Sequence, residues 1–412
     1  MRRLALVVLG LLGACAPAEP GEPEIQAAFV GFTPLGEAPD DPTNPYDTDP
    51  RAAHLGRWLF FDAGLSVDGN QSCAGCHVPE RGFQDGRRIA PGTLHLGRNT
   101  PTVVGSAWRR WFFWDGRADS LWSQALHPLE GEAEFGSSRV ALAHYVAGFD
   151  DLRRAYEELF GEFPDVSGWP ADARPIPDQP EHPSNVAWEA MGKAERDAAN
   201  RIAANLAMAI AAYERLLTPG EAPFDRAARG EPDPAWNNEA IGGFVSFKLF
   251  GCATCHGGPS FTDDEFHFSG VPPREGNREV DPGRYGGIAF LREDPFNSAG
   301  PYSAKPDGPR ARMTNGLRWD GDQFGEFKTP TLRNLRLTGP YMHAGQFATL
   351  EEVIAFYETR EGALPAGHHG ESLLQPIYMT EDDRRGLLAF LNSLNGDGPP
   401  AELCAPPDGP LW

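Results

Sequence analysis

Residues 72–77 read SCAGCH and residues 251–256 read GCATCH. Each is a Cys-x-x-Cys pair followed at once by histidine. Zinc sites and redox dithiols also use closely spaced cysteines, but neither calls for a histidine directly after the pair, and neither explains the duplication. Covalent haem attachment explains both. The thiols of Cys73 and Cys76, and those of Cys252 and Cys255, add to the two vinyl groups of a porphyrin. His77 and His256 then stand where each can ligate an iron from the proximal side. Two covalently bound haem c groups are expected.

The two motifs sit in related surroundings. RAAHLGRWLFFDAGLSVDGNQ, from residue 51, carries Leu55, Trp58 and Leu59 ahead of the first, and NEAIGGFVSFKLFG, from residue 238, carries Ile241, Phe244, Val245 and Leu249 ahead of the second. An apolar helix runs into a haem loop twice, which predicts two similar cytochrome-like domains. Residues 200–217 place apolar side chains at 202, 206, 210, 213 and 217, a helical stripe. Thr380 and Asp383 form a capping box that opens a closing helix. Strand signals are few and short. The predicted class is mainly α, two c-type cytochrome-like domains with one haem each and long loops. Residues 161–188 and 268–322 resist a helix assignment. The first stretch joins or flanks the domains; the second, rich in Gly, Pro, Arg and aromatics, is long enough to serve as a lid or docking surface.

The 412 residues carry a formal charge of −22, which speaks against nucleic-acid binding. MRRLALVVLGLLGAC, residues 1–15, has the two arginines, short apolar run and small residues of a secretory leader. Its LLGAC ending reads as a lipobox with Cys15 as the lipidated residue, or as an ordinary leader with an incidental cysteine. Lipidation would place the protein in the periplasm, anchored at the outer membrane. The expected organisation is a lipoprotein signal peptide at 1–15, a Pro- and acid-rich flexible tether at 16–50, an N-terminal peroxide-binding haem domain at 51–190, a C-terminal haem domain at 191–395 and a Pro-rich tail at 396–412. Cys404, in that tail, is read as a free thiol.

Two further stretches, GRNTPTVVGSAWRRWFFWDGRADSLWSQALHPLEGEAEF from residue 97 and FKTPTLRNLRLTGPYMHAGQFATLEEVIAFY from residue 327, resemble the bacterial dihaem cytochrome c peroxidase superfamily. The resemblance covers residues 51–395. It implies that Trp114 lies between the two haems, that Gln124 and Glu134 are the polar pair over the peroxide-binding haem, and that Pro128 lines that pocket. It also implies an interdomain calcium ion held by Asn99, Thr338 and Pro340, oxygen donors suited to a hard cation. In ordinary peroxidases of the superfamily a methionine ligates the second iron. Here that register position, fourteen residues after His343, holds Tyr357. Met342 and Met379 are out of register. Taken alone, Tyr357 on its helix face is a core residue; in register it is the axial ligand of the MauG-like and MbnH-like branch. A phenolate favours higher oxidation states where a thioether favours ferrous iron. His95 falls out of register for a removable ligand of the first iron, which is expected to be open. His343 is read as ordering the loop near the second haem, and the remaining histidines as surface or packing residues.

What the resemblance implies for function is a MauG-like enzyme that uses hydrogen peroxide to form a bis-Fe(IV) state and oxidises a tryptophan or other aromatic residue of a partner, such as an exported metal-binding protein. The alternatives are a peroxidase fed by a small cytochrome or cupredoxin, and a non-enzymatic electron-transfer cytochrome.

Overall fold

A computed structural model describes residues 29–90, 97–273, 281–365 and 374–409. Helix α1 (Pro50–Phe61) starts where proline can occupy the first turn and the Asp49 carboxylate accepts from the Arg51 amide. It leads to a single helical turn at Cys73–Cys76. Then follow α2 (Leu121–Glu130), α3 (Arg139–Gly148), α4 (Asp150–Phe160), α5 (Pro183–Ala190) and α6 (Lys193–Glu214). Nearly every residue of α6 from Ala199 onward is buried, so it is the central rod of the first domain and packs on α1, α2 and α3.

The second domain comprises α7 (Pro223–Ala228), α8 (Asn238–Leu249), α11 (Leu350–Thr359) and α12 (Glu381–Ser393). Two further helices, α9 (Arg284–Glu293) and α10 (Pro309–Asn315), lie between the strands β1 (Phe266–His267) and β2 (Phe327–Lys328), which pair antiparallel. The core is aromatic, with Phe224, Phe244, Phe261 and Phe390 in mutual contact.

One device is used in both domains. A Cβ built on Gly56 of α1 would lie 1.8 Å from the Ala209 carbonyl oxygen of α6, and one built on Gly243 of α8 would lie 1.8 Å from that of Gly386 in α12. Each pair of helices crosses backbone against backbone at a glycine.

Several expectations need correction. Helix α6 belongs to the first domain, because its apolar residues from Ile202 to Tyr213, and Leu217 just beyond it, join the same core as Leu55, Trp122 and Val140; the boundary lies after Leu217, not at 190/191. The stretch 161–188 runs into α5, and 268–322 holds α9 and α10. This second stretch leaves its own domain: Phe296 and Tyr302 are part of the first core, and buried Asp119 accepts from the Ser298 amide (3.0 Å) and the Thr314 hydroxyl (2.5 Å). The tether expected at 16–50 is not free from Phe29 onward. Phe29 and Phe32 bury among Phe224, Phe244 and Phe261, and the Asn44 amide donates to the Met208 carbonyl (3.0 Å). Two phenylalanines outweigh a Pro- and acid-rich composition. The Pro-rich tail is pinned as well. The Tyr213 hydroxyl donates to the Leu403 carbonyl (2.6 Å), and Arg57 donates to the carbonyls of Ala405 (2.7 Å) and Pro406 (3.2 Å).

The crossing sets a sharp test within one helix. Gly243→Ala should destabilise the holoprotein by about 1–3 kcal/mol through overpacking. Gly242→Ala, whose Cβ meets nothing within 4 Å, should stabilise it by about 0.4–1 kcal/mol. Denaturant unfolding of the two variants checks both signs.

Candidate functional site

Each haem motif fixes its histidine in the same way. His77 Nδ1 lies 3.1 Å from the Phe83 carbonyl oxygen, and His256 Nδ1 lies 3.1 Å from that of Phe261. A carbonyl can only accept, so Nδ1 carries the proton and Nε2 keeps its lone pair for a metal. Burial pushes the pKa of both imidazoles below the ordinary value, which keeps them neutral. Both phenylalanines turn their carbonyls inward from left-handed backbone, φ 58° at Phe83 and 51° at Phe261. A threonine braces each turn: the Thr102 hydroxyl donates to the Gly82 carbonyl (2.6 Å), and the Thr331 hydroxyl to that of Ser260 (2.7 Å).

The correspondence continues past the threonines. Thr100-Pro101-Thr102 matches Thr329-Pro330-Thr331 in sequence. Farther along, the isolated bridge Phe112–Ala118 matches Tyr341–Phe347, and α2 matches α11. Phe113 and Met342 share positive φ, 61° and 71°. In this register Trp114 corresponds to His343, and Pro128 corresponds to Tyr357. The repeated Thr-Pro-Thr is the mark of this register in the sequence.

One cavity joins the two halves. His77, Trp114, Gln124, Pro128 and Glu134 line it from the first domain; His256, Met342 and Tyr357 line it from the second. The Trp114 indole N–H donates to the Asn99 carbonyl (2.9 Å). Burial raises the Glu134 carboxyl above the usual range, against the pull of Arg117 and His127. Burial likewise pushes the Tyr357 phenol up to about 12, opposed by Arg360. Met379 sits in the second-domain core instead.

The residues present fit two haem groups. Beyond the thiols and the free Nε2 atoms, the cavity wall carries Arg109, whose Nη1 is buried with no protein partner, and Lys328, a second buried cation that the Asp264 carboxylate reaches at 3.4 Å. Buried cations of this kind suit an anionic group, and each haem brings two carboxylates.

Residues 50–233 match the family described as di-haem cytochrome c peroxidase. The chain is 33% identical over 399 residues to the methylamine utilization protein MauG of Methylorubrum extorquens, covering 95% of this chain and 91% of that protein. The chain belongs to the di-haem cytochrome c peroxidase family. It is 31% identical to cytochrome-c peroxidase IdrP1 of Denitromonas iodatirespirans, covering 95% of this chain and 92% of the relative. Among solved structures it resembles a MauG-like protein associated with microbial copper homeostasis, with TM-score 0.62, 25% identity, and coverage of 90% of this chain and 97% of that one. The diheme peroxidase BthA from Burkholderia thailandensis shares the fold, with TM-score 0.61, 23% identity, and coverage of 89% of this chain and 91% of that one. The protein is therefore a haem-dependent oxidoreductase acting on peroxide, with two c-type haems. The non-enzymatic reading is set aside.

Within this family member, Asn99, Thr338 and Pro340 also line the shared cavity. The Asn99 Nδ2 donates to the Arg87 carbonyl (2.6 Å), which leaves Oδ1 as the atom able to face a cation. Gln84 takes the alternate carbonyls, those of Leu337 (2.9 Å) and Gly339 (3.0 Å). His343 stacks on Phe327 at 3.8 Å and accepts the Asn99 amide on its carbonyl (2.8 Å), as a loop-ordering residue would. Cys404 is a half-buried thiol among the free cysteines. Cys15 and His95 lie outside the described residues.

His127, read as a surface or packing residue, does pack, whereas the buried Glu214 has no counterpart in the sequence reading. His127 bonds to Asp294 (2.9 Å) and stacks on Phe113, tying α2 to the end of α9. Glu214, the last residue of α6, is 3% exposed, and its Oε2 has no partner. It shares a wall with Cys73, Gln124 and Glu134, and burial pushes its carboxyl up to about 8. A glutamate at the end of the apolar stripe of AIAAYERLL was the clue. Glu214 is protonated in the folded state up to about pH 8 but ionises near 4.5 when unfolded, so unfolding releases a proton between those values. Stability should fall as pH rises from 4.5 to 8, by up to a few kcal/mol. Glu214→Gln should flatten that slope when urea unfolding of the holoprotein is compared across this range.

Proposed function

We propose that this chain uses hydrogen peroxide to oxidise an aromatic residue, tryptophan foremost, of a partner protein at long range. The observation that carries the reading is an asymmetry on a symmetric frame. The same helical position holds Pro128 beside His77 and Tyr357 beside His256. Proline offers no ligand atom, so the first iron would keep an open coordination position; a phenolate would close the second. When bound, the haems supply the site that cleaves the O–O bond and the capacity to hold oxidising equivalents.

The chain's own residues supply the rest. Glu134 takes the proton from the near oxygen of the peroxide and returns it to the far one, and its raised pKa brings the carboxyl closer to the pH at which it works. Gln124 donates a hydrogen bond that orients the peroxide. Trp114, on the cavity wall that also carries both histidines, is the oxidisable side chain through which charge passes. Its N–H is already committed to Asn99, which holds the ring in place. Tyr357 would hold the second haem as a phenolate in place of a neutral thioether; an anionic ligand of that kind would lower the potential and make the haem a poor acceptor from small donor proteins. A donor-fed peroxidase is the second reading, favoured by Met342 on the same cavity wall and by relatives named cytochrome-c peroxidase. Asn99 Oδ1 with the carbonyls of Thr338 and Pro340 would hold a calcium ion. The periplasm is the proposed place of action, with anchoring through Cys15, on the strength of the leader.

Tyr357→Met should keep both haems and raise the second haem's potential in a redox titration; an unchanged titration would make Tyr357 a packing residue and favour the donor-fed reading. Glu134→Gln should slow the peroxide step by about 10²–10⁴ in stopped flow with haem content intact. Trp114→Phe should leave the first haem reactive toward peroxide while abolishing oxidation of the partner, read by mass spectrometry of the partner. Normal partner oxidation would return Trp114 to a packing role.

A further inference from the structure

The segment between β1 and β2 leaves the second domain, and the start of α9 packs beside Trp114. Arg284 is 2% exposed, and its guanidinium donates to the carbonyls of Asp115 (3.2 Å) and Gly116 (2.8 Å), the two residues after Trp114. The same guanidinium lies 4.4 Å from the ring centre of Trp111, another cavity residue, and 3.8 Å from that of Phe266. Its neighbour Tyr285 stacks on Trp319 with centroids 5.3 Å apart and planes at 29°. The Trp319 indole N–H donates to the Tyr285 carbonyl (3.1 Å), and Trp319 is 50% exposed. Phe324 adjoins Tyr285 at 6.1 Å and is also exposed.

We propose that the stacked Tyr285–Trp319 pair is where oxidising equivalents leave the protein, and that the surface around it receives the oxidisable aromatic side chain of the partner. The inference rests on the function proposed above. The route is short in chemical terms: Trp114 is bonded to Asp115, whose carbonyl accepts from Arg284, which is bonded to Tyr285, which stacks on Trp319. Its direction follows from charge. A positive hole on Trp111 would face the Arg284 guanidinium, a like charge in a buried setting. A hole on Tyr285 or Trp319 is shared between two stacked rings, lies near the water boundary and has on the same turn of chain the carboxylate of Asp322 beside the Arg318–Asp320 ion pair (3.2 Å), a net negative charge. Charge is thus disfavoured inside and favoured at the surface. The reaction balances as H2O2 plus two electrons and two protons giving two waters. Each electron leaves the Tyr285–Trp319 pair inward, and the partner's aromatic side chain refills the pair, losing one electron and one proton to solvent.

The test needs no partner. Holoprotein is treated with hydrogen peroxide and a nitroso spin trap, then digested and mapped by mass spectrometry, while the peroxide-generated spectrum is followed in time. Wild type should carry adducts on Tyr285 or Trp319. The variant Tyr285→Phe/Trp319→Phe should lose them and hold its oxidised spectrum about tenfold longer. Trp319→Phe alone should give the same direction with a smaller effect. Tyr378→Phe, which removes a tyrosine 88% exposed elsewhere, should change neither reading. Adducts on other residues with Tyr285 and Trp319 unmodified, or an unchanged lifetime in the double variant, would overturn this inference alone. Wild type that forms no persistent oxidised spectrum would overturn the proposed function and this inference with it.

Discussion

The hydrogen bond from each proximal imidazole to a phenylalanine carbonyl is the interaction on which the functional architecture turns. It settles the tautomer, and through the tautomer which nitrogen can meet iron. For that carbonyl to point inward, Phe83 and Phe261 adopt left-handed backbone, a conformation that costs a non-glycine residue of order 1–2 kcal/mol. The surrounding chain holds it there. Thr102 and Thr331 tie the turn from outside, and the Thr-Pro-Thr segments that carry them also lead toward Trp114 and His343. The loop that fixes each haem-motif histidine therefore also leads to the pair of positions, Trp114 and His343, at which the two domains differ.

On this doubled frame, function enters by breaking the symmetry at a few side chains. Where one domain has tryptophan, the other has histidine; where one has proline, the other has tyrosine. The backbone bridges and the helices that follow correspond closely, so these differences need no remodelling of the fold. Two centres of unlike chemistry arise from one structural plan, with a common cavity between them.

The haem motifs and the helices ahead of them were legible because their signals are local: five consecutive residues in the one case, and an apolar stripe in the other. The same locality explains the failures. Helix α6 is periodic in sequence, but nothing in its period says which core it enters. Residues 29–50 have a linker's composition, yet Phe29 and Phe32 find their partners about two hundred residues later. The segment 268–322 looks structureless because its contacts, such as Asp119 with Ser298, are made with the other domain. Within the site, Gln124, Glu134, Trp114 and Tyr357 were reached through family register, and the structure places all four on one cavity. Glu214 was passed over because a single acidic residue at the end of an apolar helix reads as a surface position unless the packing beyond it is known.

The exchanged ends of the chain have a consequence for how the molecule can come together. Phe29 and Phe32 complete the core of the second domain, while Leu403 to Pro406 close over α1 and α6 of the first. Neither half owns all the side chains that seal it. A chain threaded in this way gains its last stabilising contacts only once residues at opposite ends of the sequence have met, and such long-range closure is slow. The reward for that delay is that the two haem motifs are held relative to one another by interlocked backbone, which leaves little freedom for a hinge between the halves.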